Sequence, residues 1–233
     1  MRMPIVTRLA APLALTVFCA VPAVAQFEGV ISWQAGQKQI PVTQTIKGKM
    51  VRTDMSGARG SGSMIMDTEA RTMTMVMDEQ KMYMTMDLKA QMGEMEHREH
   101  KMPKITDTGK SETIAGKTCQ VYRMATDPDK PDNIEVCAAK GMGYFMGGAR
   151  GPMGRGRGGD DGDAQALFAN SEFVTMYKDG FFPLRMGRIK NGQVQTQMLV
   201  TRIEPRTVDP SVFQVPAGYQ EMKMPAGMPM PQN

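Results

Sequence analysis

Histidine is almost missing from this chain, with two in 233 residues, His97 and His100. The usual catalytic signatures are missing too. There is no G-x-S-x-G elbow, no H-E-x-x-H pair and no P-loop, and His97-Arg98-Glu99-His100 is too short for the zincin spacing. Carboxylates are scattered, and none forms a pair to which acid and base roles could be assigned. These absences argue against an enzyme, and no cofactor is expected. Aromatic residues make up only 6% of the chain, so something else must supply apolar bulk. Past residue 25 no apolar run approaches the roughly 20 residues that span a bilayer, so the mature chain is not expected to be membrane-spanning. The formal charge is only +4 and falls to +2 without Arg2 and Arg8, which gives a nucleic-acid partner little support.

Cysteine is scarce as well, with three residues and no C-x-x-C. Cys19 lies in what reads as a secretory signal over residues 1–25. Arg2 and Arg8 are its basic end, Leu9 to Val21 its apolar run, and Ala23-Val24-Ala25 its small-residue cleavage site. The expected mature protein is periplasmic or secreted, starting at Gln26. It keeps Cys119 and Cys137, which in an oxidising compartment read first as a disulfide. Both lie in strand-like runs joined by the turn-rich Thr126–Asp132, and an antiparallel hairpin with Cys119 opposite Cys137 would bring them within bonding range. Closing so short a loop stabilises by about 3 kcal/mol in the chain-entropy model.

What the chain has in excess is methionine, 26 residues in all. From Ser63 to Leu88 it recurs with period two: Met64, Met66, Met73, Met75, Met77, Met82, Met84 and Met86. Period two puts these side chains on one face of extended segments. The breaks at Asp67–Arg71 and Asp78–Lys81 are polar and turn-sized. Even-length loops would set Met77 opposite Met82, Met75 opposite Met84 and Met64, and Met73 opposite Met86 and Met66. Odd loops would turn half of them to solvent. The pattern thus predicts a three-stranded meander with one deformable thioether face.

Elsewhere the chain alternates as strands over Phe27–Trp33, around Ile40, Val42 and Ile46, and over Met50–Met55 after a turn at Lys47-Gly48-Lys49. Arg59–Ser63 reads as a Gly/Ser break. Residues 141–162 are Gly/Arg-rich and read as a disordered surface loop. Asp163 can cap a short helix carrying Ala164, Leu167, Phe168 and Ser171. Asn191-Gly192 is the strongest hairpin signal, pairing Ile189 with Val194 and Arg185 with Met198. Residues 221–233 read as a disordered Met/Pro-rich tail.

Several segments resemble a secreted bacterial family without assigned function, domain-of-unknown-function family 4412. They are Thr108-Gly109, Glu112 through Cys119 (ETIAGKTC), Val121-Tyr122, Gly180 with Pro183-Leu184-Arg185, and Asp209-Pro210-Ser211 through Tyr219. The resemblance implies an architecture similar to the LolA/LolB-type periplasmic lipoprotein carriers. That is a mainly β fold, a curved antiparallel sheet forming an open half-barrel with one or two short helices, here a single domain over 26–220.

Two functional expectations follow. The first is a non-enzymatic binder of an apolar small molecule or lipid, with the eight methionines from Met64 to Met86 facing the ligand; the competing reading is that they only fill a core. The second is a Cu(I) or Ag(I) module using Met92, Met95, His97, His100 and Met102, since thioethers are soft ligands. On that reading the strand methionines are poor candidates, because a core face does not readily admit a hydrated ion. A purely structural envelope domain is the remaining alternative.

Overall fold

Alternation of apolar and polar residues over short runs dictates strands, and the computed structural model is built almost wholly of them. It describes residues 27–36, 38–57, 60–88, 105–125, 133–143, 145 and 180–222. The expected leader, the methionine/histidine stretch, the Asp163 helix and the tail from residue 223 onward lie outside the described residues, as does the Gly/Arg loop apart from 141–143 and 145. That described start is not a surface loop, since Met142 and Phe145 are buried in the main core.

Twelve strands form one sheet. They are β1 (Gly29–Ala35), β2 (Ile40–Lys47), β3 (Met50–Gly57), β4 (Gly60–Asp67), β5 (Thr72–Met77), β6 (Met82–Asp87), β7 (Ile105–Ile114), β8 (Lys117–Met124), β9 (Ile134–Ala139), β10 (Phe182–Lys190), β11 (Gln193–Pro205) and β12 (Gln220–Glu221). Their order is β12-β6-β5-β4-β3-β2-β1-β11-β10-β9-β8-β7. Two antiparallel meanders, β1–β6 and β7–β11, are therefore zipped together by β1 and β11, and only β12 pairs in parallel. The sheet is open and curled, as expected of a half-barrel. The one described short helix is a 3-10 turn at Pro210–Phe213. No described helix is long and apolar enough to cross a membrane.

Side-chain reach identifies the inner face. Trp33 on β1 and Phe182 on β10 are separated by β11, two strand spacings or roughly 10 Å, yet their ring centroids are 6.2 Å apart. Phe145 packs against both, at 5.6 and 5.1 Å. The main core lies on this face, with Ile31, Trp33, Val42, Ile46, Val51, Met64, Val121, Met142, Phe182, Leu184 and Val200 buried together. On the outer face the C-terminal segment straps across β2–β6. Val208 and Phe213 bury against Ile65 and Val76. Lys47 Nζ donates to the Val208 carbonyl at 2.6 Å and Arg52 Nη1 to that of Val212 at 2.9 Å. Asp209 caps the 3-10 turn by accepting from the Ser211 N–H, with Pro210 at the first helical position. The Tyr219 hydroxyl donates to Asp78.

Four other expectations need correction. Of the expected break at Arg59–Ser63, the described part from Gly60 to Ser63 is strand, because β4 begins at Gly60 and pairs from there with β3. A boundary at 220/221 falls inside β12, and the Met222 N–H goes on to donate to the Tyr83 carbonyl at 2.7 Å. The Asn191-Gly192 turn does pair Ile189 with Val194, but Arg185 faces Leu199 rather than Met198. The cause is a bulge between Met186 and Gly187, which slips the register by one. Lastly, Cys137 faces Val121, and Cys119 lies two residues further along β8 on the same face. The disulfide forms all the same, across a diagonal, with Cα atoms 5.3 Å apart.

Gly187 marks the bulge for a steric reason. A Cβ there would lie 2.7 Å from Val194 Cγ1 and 2.8 Å from the Gln195 carbonyl oxygen. Gly187→Ala should therefore destabilise the fold by about 2 kcal/mol through overpacking, seen as a lower urea midpoint. An alanine variant as stable as the parent would contradict this account.

Candidate functional site

The methionine meander has the register that alternation predicts. Met64 faces Met75, Met66 faces Met73, Met73 faces Met86, Met75 faces Met84 and Met77 faces Met82. Both connections are four residues long, so each preserves the face. Neither contains glycine; the left-handed residue that closes each turn is Arg71 (φ 56°) or Lys81 (φ 50°). Asp67 secures the first turn by accepting from the N–H groups of Glu69 and Ala70.

Register across β3 ties this face to the main core. Ile46 faces Val51 and Val51 faces Met66, while Gln44 faces Thr53 and Thr53 faces Met64. All eight methionines therefore lie on the inner face. Met64, Met84 and Met86 are buried, and Met66, Met73, Met75, Met77 and Met82 are half-buried. A wall of this kind is neither a closed core nor an exposed patch. Two inward polar residues are buried within it, Gln44 and Thr53, and the Thr53 hydroxyl has no hydrogen-bond partner.

The other half of the inner face carries charge. Arg185 Nε and Nη2 donate to the two carboxylate oxygens of Glu112 at 3.0 and 2.6 Å, and Nη2 also donates to Glu135 at 2.9 Å. Arg123 Nε donates to the second oxygen of Glu135 at 3.0 Å. Arg185 is on β10 and Glu112 on β7, so this clasp spans β9 and β8 and demands that the sheet curl inward. Burial pushes the Glu135 carboxyl up, but the two guanidinium groups more than offset that and hold it below its ordinary 4.5. Burial likewise works against the Arg185 charge, and its two carboxylate partners overcome it, leaving the pKa raised.

Every charge in the clasp is met by an opposite one, and the clasp ties β10 to β7 across two strands. Among the described residues no cluster of three His, Cys, Asp or Glu side chains could hold a metal ion. The alternative metal ligands Met92, Met95, His97, His100 and Met102 lie outside the described residues. Sequence reasoning missed the clasp because its partners are 73 and 50 residues apart. It also missed Met55, which continues the thioether face onto β3 opposite Gly62.

Glu135→Gln should destabilise the protein by about 1.5 kcal/mol at neutral pH, since it removes a carboxylate from the largely buried Arg185, which keeps Glu112, and from the more exposed Arg123. A carboxyl whose folded-state pKa lies below its unfolded one adds stability that is complete above the unfolded value of 4.5 and fades as pH falls through the folded value. The difference in urea midpoint between parent and variant should thus be widest near pH 7 and close in acid. A difference unchanged at about pH 3 would rule out the charge-based account.

The segments that carry the family resemblance mostly have structural roles here. The Thr108 hydroxyl donates to the Val121 carbonyl at 2.7 Å, and Ala115-Gly116 turn between β7 and β8 with both φ angles positive. Glu112 and Arg185, from two separate motifs, meet in the clasp. Among curated proteins none matches the chain. A solved structure of similar outline is that of an uncharacterized conserved protein from Thermus thermophilus, at 7% identity and a TM-score of 0.47, covering 85% of this chain and 91% of that one. The model of the domain of unknown function DUF4412 matches residues 27–219, and the chain belongs to that family.

Proposed function

We propose that this is an exported, non-catalytic protein that binds an apolar chain, such as a lipid acyl group, against its inner methionine wall. The observation that carries this reading is the set of eight thioether side chains in register on three adjacent strands, five of them only half-buried. Unbranched thioethers adapt to partners of varied shape, and a concave apolar surface suits an acyl chain. On this reading the protein works by analogy with the LolA/LolB-type carriers. The Cys119–Cys137 disulfide supports export, because such bonds persist in oxidising compartments.

Uptake of a fluorescent fatty acid by the purified, delipidated protein tests the binding. Micromolar uptake is expected, weakened about tenfold by Met75→Glu, which places a charge in the middle of the wall at a cost of at least about 1.4 kcal/mol. No uptake, together with no lipid extracted from protein purified from its host, would overturn the carrier reading. Export is tested separately by sequencing the N-terminus of the protein in the envelope fraction. Gln26 is expected there, and an unprocessed chain confined to the cytoplasm would overturn it.

A further inference from the structure

The thioether wall has one gap, and the backbone enforces it. Along the row nearest the β3–β4 turn, Met55 faces Gly62, Gly62 faces Met77 and Met77 faces Met82. Gly62 cannot carry a side chain, since a Cβ there would lie 2.9 Å from the Val76 carbonyl oxygen. Met55 and Met77 thus flank a slot two strand spacings wide, roughly 10 Å between their Cα atoms. Met64 borders it from two residues along β4 and Met75 from two residues along β5, and Met82 stands one strand further out on β6. A methionine sulfur lies two bonds beyond Cβ, and metal–sulfur bonds run to roughly 2.3 Å. Sulfurs from both sides of such a slot can therefore reach one ion.

We propose that this slot is a binding site for a soft monovalent cation, Cu(I) or Ag(I), with the thioethers of Met55, Met64 and Met77 as its ligands. Neutral sulfur donors select soft ions over Zn(II), Mg(II) or Ca(II), which prefer nitrogen, thiolate or oxygen. A single positive charge is also the least costly to bring among apolar groups. The site is open to an ion from one side: Met55 is 40% exposed and Met77 is half-buried, while Met64, 3% exposed and packed on the main core, forms its floor. The objection that strand methionines form a sealed core does not hold at this row. Beside it, Thr53 lies two residues from Met55 on the same face, and its orphaned hydroxyl offers a hydrogen bond to a water carried in with the ion. The described cysteines are tied up in the disulfide, so thioethers are the soft ligands left in this part of the fold.

The proposal does not rest on the carrier reading, and Cu(I) or Ag(I) binding is read without any lipid present. The Met55→Leu/Met64→Leu/Met77→Leu protein keeps the apolar surface and loses the sulfur. Titrating the full-length chain with Cu(I) under anaerobic conditions against bicinchoninate should show one tight equivalent in the parent and at least 30-fold weaker binding in the triple variant. Equal affinity in the triple variant, no uptake of Cu(I) by the parent, or loss of the tight equivalent in His97→Ala/His100→Ala alone would each overturn it. Should the triple variant fail to fold, methyl-labelled methionine spectra of the parent decide the matter. Ag(I) should shift the Met55, Met64 and Met77 methyl signals, assigned by single leucine substitutions, and shifts confined to other methionines would refute the site.

Discussion

Everything on the inner face depends on parity: each connection in the β4–β5–β6 meander spans an even number of residues. A slip of one residue would send the methionines outward and draw Ile65, Val76 and Tyr83 in. The fold resists that slip from both sides of the sheet. Inside, Met64 is packed into the main core with Val51 and Ile46. Outside, Ile65 and Val76 are held under the strap residues Val208 and Phe213. The strap is itself pinned near both its ends. The Val208 N–H donates to Glu28, which also accepts from Lys47, and the Gln220 N–H donates to the Lys81 carbonyl. Residues more than a hundred positions downstream thus fix the alternation of an early hairpin.

The second meander holds its shape by different means. Its inner face replaces methionine with the disulfide and the Arg185 clasp, both of which join non-adjacent or diagonal positions. The Arg185–Glu135 pair at its centre, mostly buried, is weak support for stability in itself, because desolvation cancels much of the attraction. Its geometry matters more. A bidentate guanidinium reaching from β10 to β7 can be satisfied only when the intervening strands curl, so the clasp selects the curved sheet over a flat one. The two meanders then meet through β1 and β11, which pairs Gly29 with Pro205. Such distant pairing carries a large loop-closure cost, which argues for joining the halves after each meander has formed.

This contrast explains what can be read from the residues alone. Period two reveals the methionine face and its register because the signal is local and repeats through three strands. The Asn191-Gly192 hairpin is legible for the same reason, and only as far as the bulge, since nothing in Met186-Gly187 says where the second strand will slip. Gly60, Ser61 and Gly62 look like a break because glycine is read as punctuation, whereas here Gly62 is a strand residue chosen for close backbone approach. Arg71 and Lys81 give no hint of the left-handed conformation they adopt. The clasp is invisible because its charges come from separate strands, although the two motifs that supply Glu112 and Arg185 both stand out in the sequence.

Methionine is a costly choice for a wall whose only task is to fill space. Ordering its side chain loses about 1 kcal/mol more entropy than ordering leucine or isoleucine. Methionine also lacks the branching that makes valine and isoleucine fit a pleated surface. Branched residues supply much of the closed packing, with Ile31, Val42, Ile46 and Val51 on the inner face and Ile65 and Val76 on the outer, beside the buried Met64, Met142 and Met198. Methionine takes over on β5 and β6, where every inward residue is a thioether and the wall is only partly covered. A half-buried side chain is not fully ordered, so the entropic penalty is smaller there than in a closed core. The two properties that set methionine apart from leucine, flexibility and a polarisable sulfur, remain available at the same positions. On β5 and β6 four of the six inward thioethers, Met73, Met75, Met77 and Met82, are only half-buried, so it is there that flexibility and polarisability stay free of the constraints of a closed core.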